Sequence, residues 1–302
     1  MTSKARPTVS LTSGSSRRDN VRRALELVAG SIEAAVAGKQ LIMIKPNFVV
    51  CYRQLAATHV DAVRGVLDVI RPMTGSRIII AEGAAMGPTA MGYLLYGYRA
   101  LKREYGVELV NLNRDRRQSM EIEGRHGAGK QVGVSRTALA ADCRISVALL
   151  KTHDTVVATL TYKNMAMGVI SGVMNKRRMH QGYAEINRSL AGLAPRLAPH
   201  VAVIDGMTGM EGNGPAKGTA VDMGVALAGT DFVAVDAVGA SLMGIDPRDM
   251  GYLWLCHEAG LGEARLEHID VVGEKVGEHA RDFRRHPEFA RQVEHLHIGG
   301  RE

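Results

Sequence analysis

"LIMIKPN", residues 41–47, is the stretch on which the fold turns. Leu41 to Ile44 run apolar without a break into Lys45, and Pro46 follows at once. Proline has no N–H for a sheet ladder, so the strand must stop here. Lys45 and Asn47 are thereby left at its carboxyl end. Further short apolar runs lie on either side: "TVSLTS" (8–13), "RIIIAEG" (77–83), "VELVNLN" (107–113), "RISVALLK" (144–151), "VAVIDG" (201–206), "MGVALAG" (223–229) and "IDVVGE" (269–274). Between them, helical patterns are predicted over 18–37, 60–72, 92–105, 184–194, 231–242 and 247–259. The helix over 231–242 falls in "GTDFVAVDAVGASLMGIDP", which offers Thr230 or Asp231 as N-cap, Gly244 near the helix end and Pro247 beyond it. Short apolar runs alternating with amphipathic ones predict the α/β class: a mixed, largely parallel sheet flanked by helices.

No internal repeat, low-complexity tract or linker divides the 302 residues, so residues 1–302 read as one α/β domain with a core over about 40–265. Residues 114–136 are polar and Gly-rich and predict an inserted hairpin. Residues 153–183 predict a flap or small subdomain over the sheet edge, and 278–302 an amphipathic C-terminal helical tail. Hydrophobic residues at 46% and charged residues at 23% exclude a disordered chain. The 15 methionines, many in the second half, are read first as core filling.

The formal net charge of +7 attracts anions of every kind, but it is dispersed in short clusters such as "SRRDNVRR" and "RDFRRH". Aromatics at 4% leave little for stacking on bases, so a small anionic partner is favoured over nucleic acid. Cys51, Cys143 and Cys256 are too few and too scattered to ligate an iron–sulfur cluster or a structural zinc. Their sparseness fits a reducing compartment. "MTSKARPTVSL" lacks the apolar segment of a signal peptide, and no run of about 20 apolar residues predicts a membrane span. A cytoplasmic protein is expected, and a homo-oligomer is left open.

Chemistry-bearing residues gather where the predicted strands end: Lys45 and Asn47, Glu82, Lys151 and His153, and Asp205. In open α/β sheets ligands bind beyond the strand carboxyl ends. In "KTH" (151–153) two cations stand two residues apart, so an extended chain projects both to one side. Lys163 and Asn164 follow after a run that reads as buried, and a lysine in apolar surroundings loses basicity toward neutrality. Such an amine suits proton transfer or stabilisation of an oxyanion, and His153 and His180 titrate near neutral pH. "NKRRMHQG" (175–182) reads as a solvated loop or, folded over the cleft, as a cationic lid.

"VIDGMTGMEGNGPAKG" (203–218) carries five glycines, which predict positive φ angles or close backbone approach to a ligand. Asp205 and Glu211 are the carboxylates a divalent metal could use there, although substrate binding with Asn213 is the favoured role. "GRHGAGKQ" (124–131) approaches a phosphate-binding loop but ends in Gln131, with no hydroxyl for magnesium, and is set aside.

The order of these motifs resembles the DUF362 family, a domain of unknown function. The resemblance rests on "KPN" at 45–47, "EG" at 82–83, "KTH" at 151–153, "YKN" at 162–164, His180, "DG…GMEGNGP" at 205–215 and "GTDFVAVDAVGASLMGIDP" at 229–247. It implies an α/β domain whose lysines, asparagines and acidic residues share a site. Many members carry ferredoxin-like cysteine clusters beside this domain. Three scattered cysteines depart from that pattern, so an iron–sulfur module is not expected here. The expectation is an enzyme acting on a small carboxylate or phosphate. Lys151, His153, Lys163 and His180 would be catalytic, with Lys45, Asn47, Glu82, Asn164, Asp205, Glu211 and Asn213 holding the substrate. The favoured chemistry is isomerisation, racemisation or elimination, as in a biosynthetic pathway. The alternatives are an oxidoreductase fed by an external electron donor and a non-catalytic carrier of an anionic ligand, metal or cofactor.

Overall fold

A computed structural model describes residues 5–124 and 128–297. Its strands are β1 (Thr8–Ser13), β2 (Leu41–Lys45), β3 (Arg77–Glu82), β4 (Glu108–Asn111), β5 (Arg117–Glu123), β6 (Gly129–Ser135), β7 (Cys143–Thr152), β8 (Ala158–Thr159), β9 (Val201–Glu211), β10 (Thr219–Gly229) and β11 (Asp270–Gly273). All but β5 and β6 join one nine-stranded sheet in the order β11-β1-β10-β9-β7-β2-β3-β4, with β8 beside β7. β10 runs against β1 and β9, and β8 against β7, while the other pairs are parallel. The fold is therefore mixed α/β with a mainly parallel sheet.

One face is covered by α1 (Arg17–Leu27), α2 (Ala29–Val36), α3 (Val60–Met73), α4 (Thr89–Leu95) and α5 (Leu101–Tyr105). On α3, Val60, Val63, Val66, Leu67 and Ile70 recur at helical spacing and bury against the sheet residues Ile42, Ile44, Ile78 and Ile80. After α6 (Arg136–Ala140), the other face receives α7 (Thr161–Val169), α8 (Val173–Met179), α9 (Tyr183–Leu197), α10 (Phe232–Leu242) and α11 (Gly251–Glu258). Tyr162, Leu190, Leu193, Val235 and Tyr252 form the core on that side. Burying each of these large apolar side chains stabilises the fold by about 1.5–3 kcal/mol. The tail contributes α12 (Val276–His279) and α13 (Phe289–His297).

The helix expected over 18–37 is two helices, because Val28 (φ −120°, ψ 26°) leaves helical geometry between α1 and α2. That expected over 92–105 is broken by Gly97, at φ 77°. The predicted hairpin at 114–136 is β5 paired antiparallel with β6, and its residues 125–127, within the set-aside phosphate-loop string, lie outside the described residues. Residues 298–302 of the predicted tail do so as well. The stretch 153–183 adds β8 to the main sheet and α7 to the core, and α7 and α8 together lie over the strand ends.

The glycine-rich string 206–218 bears on a further expectation. It closes a long hairpin between β9 and β10 and brings Pro215 to the lining of the cavity described below. Of its five glycines only Gly212 has a positive φ, at 69°. The others let chains pack: a Cβ on Gly206 would meet Val225 at 2.7 Å, and one on Gly209 would meet Phe283 at 2.6 Å.

The chain order positions the site. From β2 it runs outward to β3 and β4, then returns to lay β7 and β9 on the other side of β2. Connections leave β2 and β7 in opposite directions, which opens a crevice at their carboxyl ends.

Candidate active site

Lys45 ends β2 and Lys151 stands one residue from the end of β7, both with no exposed surface. Lys45 Nζ spends its three protons on Glu82 Oε2 (2.7 Å), Pro46 O (2.8 Å) and Asn164 Oδ1 (2.9 Å). Asn47 Nδ2 donates to the same Asn164 oxygen at 2.9 Å, and Lys151 Nζ donates to Asn47 Oδ1 and to Ala56 O (3.4 Å). One continuous polar chain thus runs from Lys151 through Asn47, Asn164 and Lys45 to Glu82. Such a network is tolerated in a core because its members satisfy one another.

α7 brings Lys163 and Asn164 to this chain. Its N-terminus is held by the buried Asp236 of α10, which accepts from Thr161 N (2.8 Å), Thr161 Oγ1 (2.6 Å) and Tyr162 N (3.0 Å). Burial lifts the Asp236 carboxyl to about 7 in spite of these donors. The conspicuous "FVAVDAV" string therefore braces the site without entering it. Gly168 lets α7 approach β2: a Cβ there would stand 1.8 Å from Lys45 Cε.

α8 supplies Lys176, whose Nζ donates to Met167 O (2.8 Å) and Ile170 O at the carboxyl end of α7, a place that favours a cation. His180, just past α8, has its Nδ1 3.0 Å from Lys176 O. Its ring lies nearly parallel to that of His153, with centroids 6.5 Å apart. These groups enclose a cavity of about 160 Å³. Lys45, Lys163, Lys176, Glu82, His153 and His180 line one part, and Phe48, Val49, Met86 and Met167 give it an apolar wall. Thr159 also lines it, 2% exposed, with no partner for its hydroxyl.

His153 is the hub. Its Nε2 lies 2.6 Å from Lys163 Nζ, and its Nδ1 lies 3.0 Å from both Asp154 Oδ1 and Thr155 N. Burial, reinforced by Lys163, lowers the imidazole to about 3, so it is neutral at pH 7. Burial lowers Lys163 to about 8, with Asp154 opposing and Lys45 assisting. A protonated Lys163 has no lone pair, so Nε2 must accept and the imidazole proton sits on Nδ1, facing Asp154. When Lys163 is neutral, Nε2 can carry the proton and Nδ1 accept from Thr155 N–H. The tautomer of His153 thus follows the protonation state of Lys163. Burial also lowers Lys176, to about 7, and pushes Lys45 and Lys151 down, Lys163 adding to the effect on Lys151.

Of the side chains singled out from sequence, Lys45, Asn47, Glu82, His153, Lys163, Asn164 and His180 line this cavity. Lys151 does not: it lies behind Asn47 and props it. Asp205, Glu211 and Asn213 are corrections. Asp205 faces the α1 side of the sheet, where Arg17 Nε bridges it at 2.9 Å. Glu211 accepts from Arg284 N (2.9 Å) and Thr219 Oγ1 (3.3 Å) at the hairpin tip, and Asn213 is exposed in the turn. The long β9–β10 hairpin carries these two past the crevice, so Asp205 and Glu211 do not converge as a metal pair. Among the described residues, Glu274, Glu278 and His279 are the group close enough to share an ion, outside the cavity lining. Cys51 and Cys143 are buried with the core of the α1–α3 face and Cys256 with that of the other.

Sequence reasoning read Lys176 only as part of a charged cluster. The structure splits that cluster: Lys176 is buried at the cavity while Arg177 and Arg178 are exposed. Its spacing of four from His180, one helical turn, is the signal that pairs them. Nothing in the sequence marked Gly168.

The family model for the domain of unknown function DUF362 matches residues 42–241, which span β2 to α10 and hence every residue of the cavity. The chain belongs to the DUF362 family. A thylakoid-associated protein of Synechocystis sp. is 24% identical over 253 residues, covering 82% of this chain and 76% of that protein. Among solved structures, the lactate racemase apoprotein of Thermoanaerobacterium thermosaccharolyticum superposes with a TM-score of 0.52 at 16% identity. That match covers 80% of this DUF362 chain and 58% of the racemase chain, and at such identity it shows a shared α/β fold. No helix among the described residues is long and apolar enough to cross a membrane.

Proposed function

We propose that this DUF362 protein is an enzyme that moves a proton next to the carbonyl of a small anionic molecule. The charge balance of the cavity carries the reading. Three lysines face it, against the buried carboxylate of Glu82 and the half-exposed Asp154, while burial keeps the imidazoles of His153 and His180 uncharged. An anion entering there supplies the missing negative charge, and its oxygens meet the unpartnered hydroxyl of Thr159 in a field set up before it arrives. The cavity, about 160 Å³, is close to the ~150 Å³ that accommodates one benzene, which sets the scale of the substrate. Its apolar wall suits a carboxylate with a short carbon substituent.

In this mechanism Lys45 and Lys176, whose protons go to protein acceptors, attract the carboxylate or phosphate through their charge, and the unpartnered Thr159 hydroxyl donates to it. Lys163, lowered toward neutrality and coupled to His153, takes the proton from carbon, and the ammonium groups stabilise the enolate-like oxyanion that results. The Lys163 ammonium then returns the proton to carbon, and His180, across from His153, closes the other side of the cavity. Asn47 and Asn164 hold the lysines in register, and Lys151 secures Asn47. The racemase that shares the fold acts, by its name, on lactate, a small carboxylate, which agrees with the substrate class without carrying the proposal.

The test is proton exchange. The full chain is incubated in D2O with lactate, malate and short 2-hydroxy or 2-oxo acids, and loss of the α-proton is followed by NMR. Wash-in that disappears in Lys163→Met supports the proposal. Anions that raise the melting temperature without any wash-in would instead identify a carrier.

A further inference from the structure

We infer that Gln292, on the C-terminal helix α13, is a positioning residue that clamps the loop carrying His153 and so aims its imidazole at Lys163. The inference rests on the proposed role of the His153–Lys163 pair. The loop between β7 and β8 contains a residue under backbone strain. Val157 has φ 66°, the one non-glycine with a positive φ among the described residues, and it is β-branched and 3% exposed. A β-branched residue in this region is an outlier that persists only when its surroundings hold it there.

The holding group is identifiable. Gln292 is 1% exposed although glutamine seldom is. Its Oε1 accepts from Val157 N–H, and its Nε2 donates to His153 O at 3.0 Å. Within the loop, His153 N donates to Val157 O at 2.8 Å. The carboxamide thus occupies both free backbone groups across the loop neck, as a neighbouring strand would. An apolar side chain could fill the same space, but it would leave a buried N–H and a buried C=O without partners.

The same segment also touches the His180 side. Glu288, just before α13, accepts from Tyr183 OH at 2.9 Å, and the His295 ring meets Tyr183 edge-on at 5.4 Å. Tyr183 begins α9, three residues after His180. Both histidine-bearing segments are therefore tied to the tail. The groups facing His153 are Lys163 from α7, His180 past α8 and Asp154 on its own loop, so a shift of the loop changes the separations from Lys163 and His180.

The experiment uses the full chain labelled with ¹⁵N and the variant Gln292→Met. Amide exchange at Val157 should quicken about tenfold or more, the loss expected for a buried hydrogen bond with orphaned partners. The His153 ring nitrogens should change from one tautomer to an average of two. Any α-proton wash-in should fall in kcat by about tenfold with KM little changed, because the lysines that bind the anion stay in place. Adding Val157→Gly should return the His153 signals toward wild type, since glycine adopts a positive φ without steric cost. A helix that merely stabilised the fold would not be rescued in this way. If Gln292→Met does not fold, Gln292→Glu keeps the acceptor for Val157 and loses the donor to His153 O, and the same signals are read. Unchanged Val157 exchange and His153 signals in the folded variant overturn the inference. Altered signals in a protein that shows no wash-in even as wild type support the clamp and count against the proposed reaction.

Discussion

Two hollows of about 160 Å³ open at the carboxyl ends of the same sheet, one on each face. In the first, under α7 and α8, cations crowd one another with Glu82 as their buried counter-charge. In the second, beside α1 and the start of α3, Arg17 bridges Asp205 one-to-one and His59 stands by. Burial raises the Asp205 carboxyl with Arg17 opposing, and burial followed by Arg17 lowers His59. The second hollow is electrically closed and needs no ligand. The first is left with charge that only a bound anion or deprotonation can relieve. The strand ends thus provide a place, and the charge balance decides which hollow functions there.

The contrast can be broken most forcefully at Glu82. Glu82→Gln leaves the fully buried Lys45 uncompensated and should cost about 3–5 kcal/mol in urea unfolding, the usual penalty for removing one partner of a buried pair. A cost no greater than that of Asp205→Asn would erase the distinction between the hollows.

The pH dependence comes next. Lys163 binds its proton with a value near 10.5 when unfolded and about 8 when folded. Between those values the unfolded chain holds more protons, so stability must rise with pH from about 8 to about 10.5, by about 3 kcal/mol from this residue. Below pH 8 both states are protonated and the contribution is absent. Lys163→Met should flatten its share of the slope in denaturation measured across that range, and an unaltered slope would show that Lys163 is not desolvated.

Anion binding is a third measure. At 100 times its Kd, phosphate or lactate should stabilise the protein by about 2.7 kcal/mol at pH 7. The gain should shrink at pH 9, where Lys163 and Lys176 have lost much of their charge, and in Lys176→Met. Calorimetric melting with and without the anion reads it.

The smallest effect belongs to the balanced hollow. Asp205→Asn should cost about 1–2 kcal/mol, with Arg17 free to turn toward solvent. Anion binding should be unchanged, and loss of binding in this variant would join the two hollows into one site.

Much of this was legible in the chain. β1 was expected at its observed bounds, and β2, β3 and β7 within a residue or two, because apolar runs ending in Pro46 or Gly83 declare themselves locally. The α/β class follows from their alternation with amphipathic helices. The lysines and histidines stood out because charge in apolar company is rare. The β9–β10 hairpin was less legible, since glycines that serve close packing and glycines that cradle a ligand look alike until the neighbours are known. Asp205 differs from Lys45 and Lys151 for a related reason: its place near a strand end shows in the sequence, but the face it takes, toward Arg17, follows from how β9 sits in the sheet.

By itself, then, the sequence determined the elements and the kinds of group available to a site. These depend on local periodicity, on proline's missing N–H and on residue type. Only the tertiary structure decided which cations share a cavity, that Lys151 props Asn47, that Gly168 admits Lys45 and that Gln292 reaches His153 from the far end of the chain. Such pairings span up to 139 residues. They arise from how strands are ordered and helices laid upon them, and no local pattern encodes that.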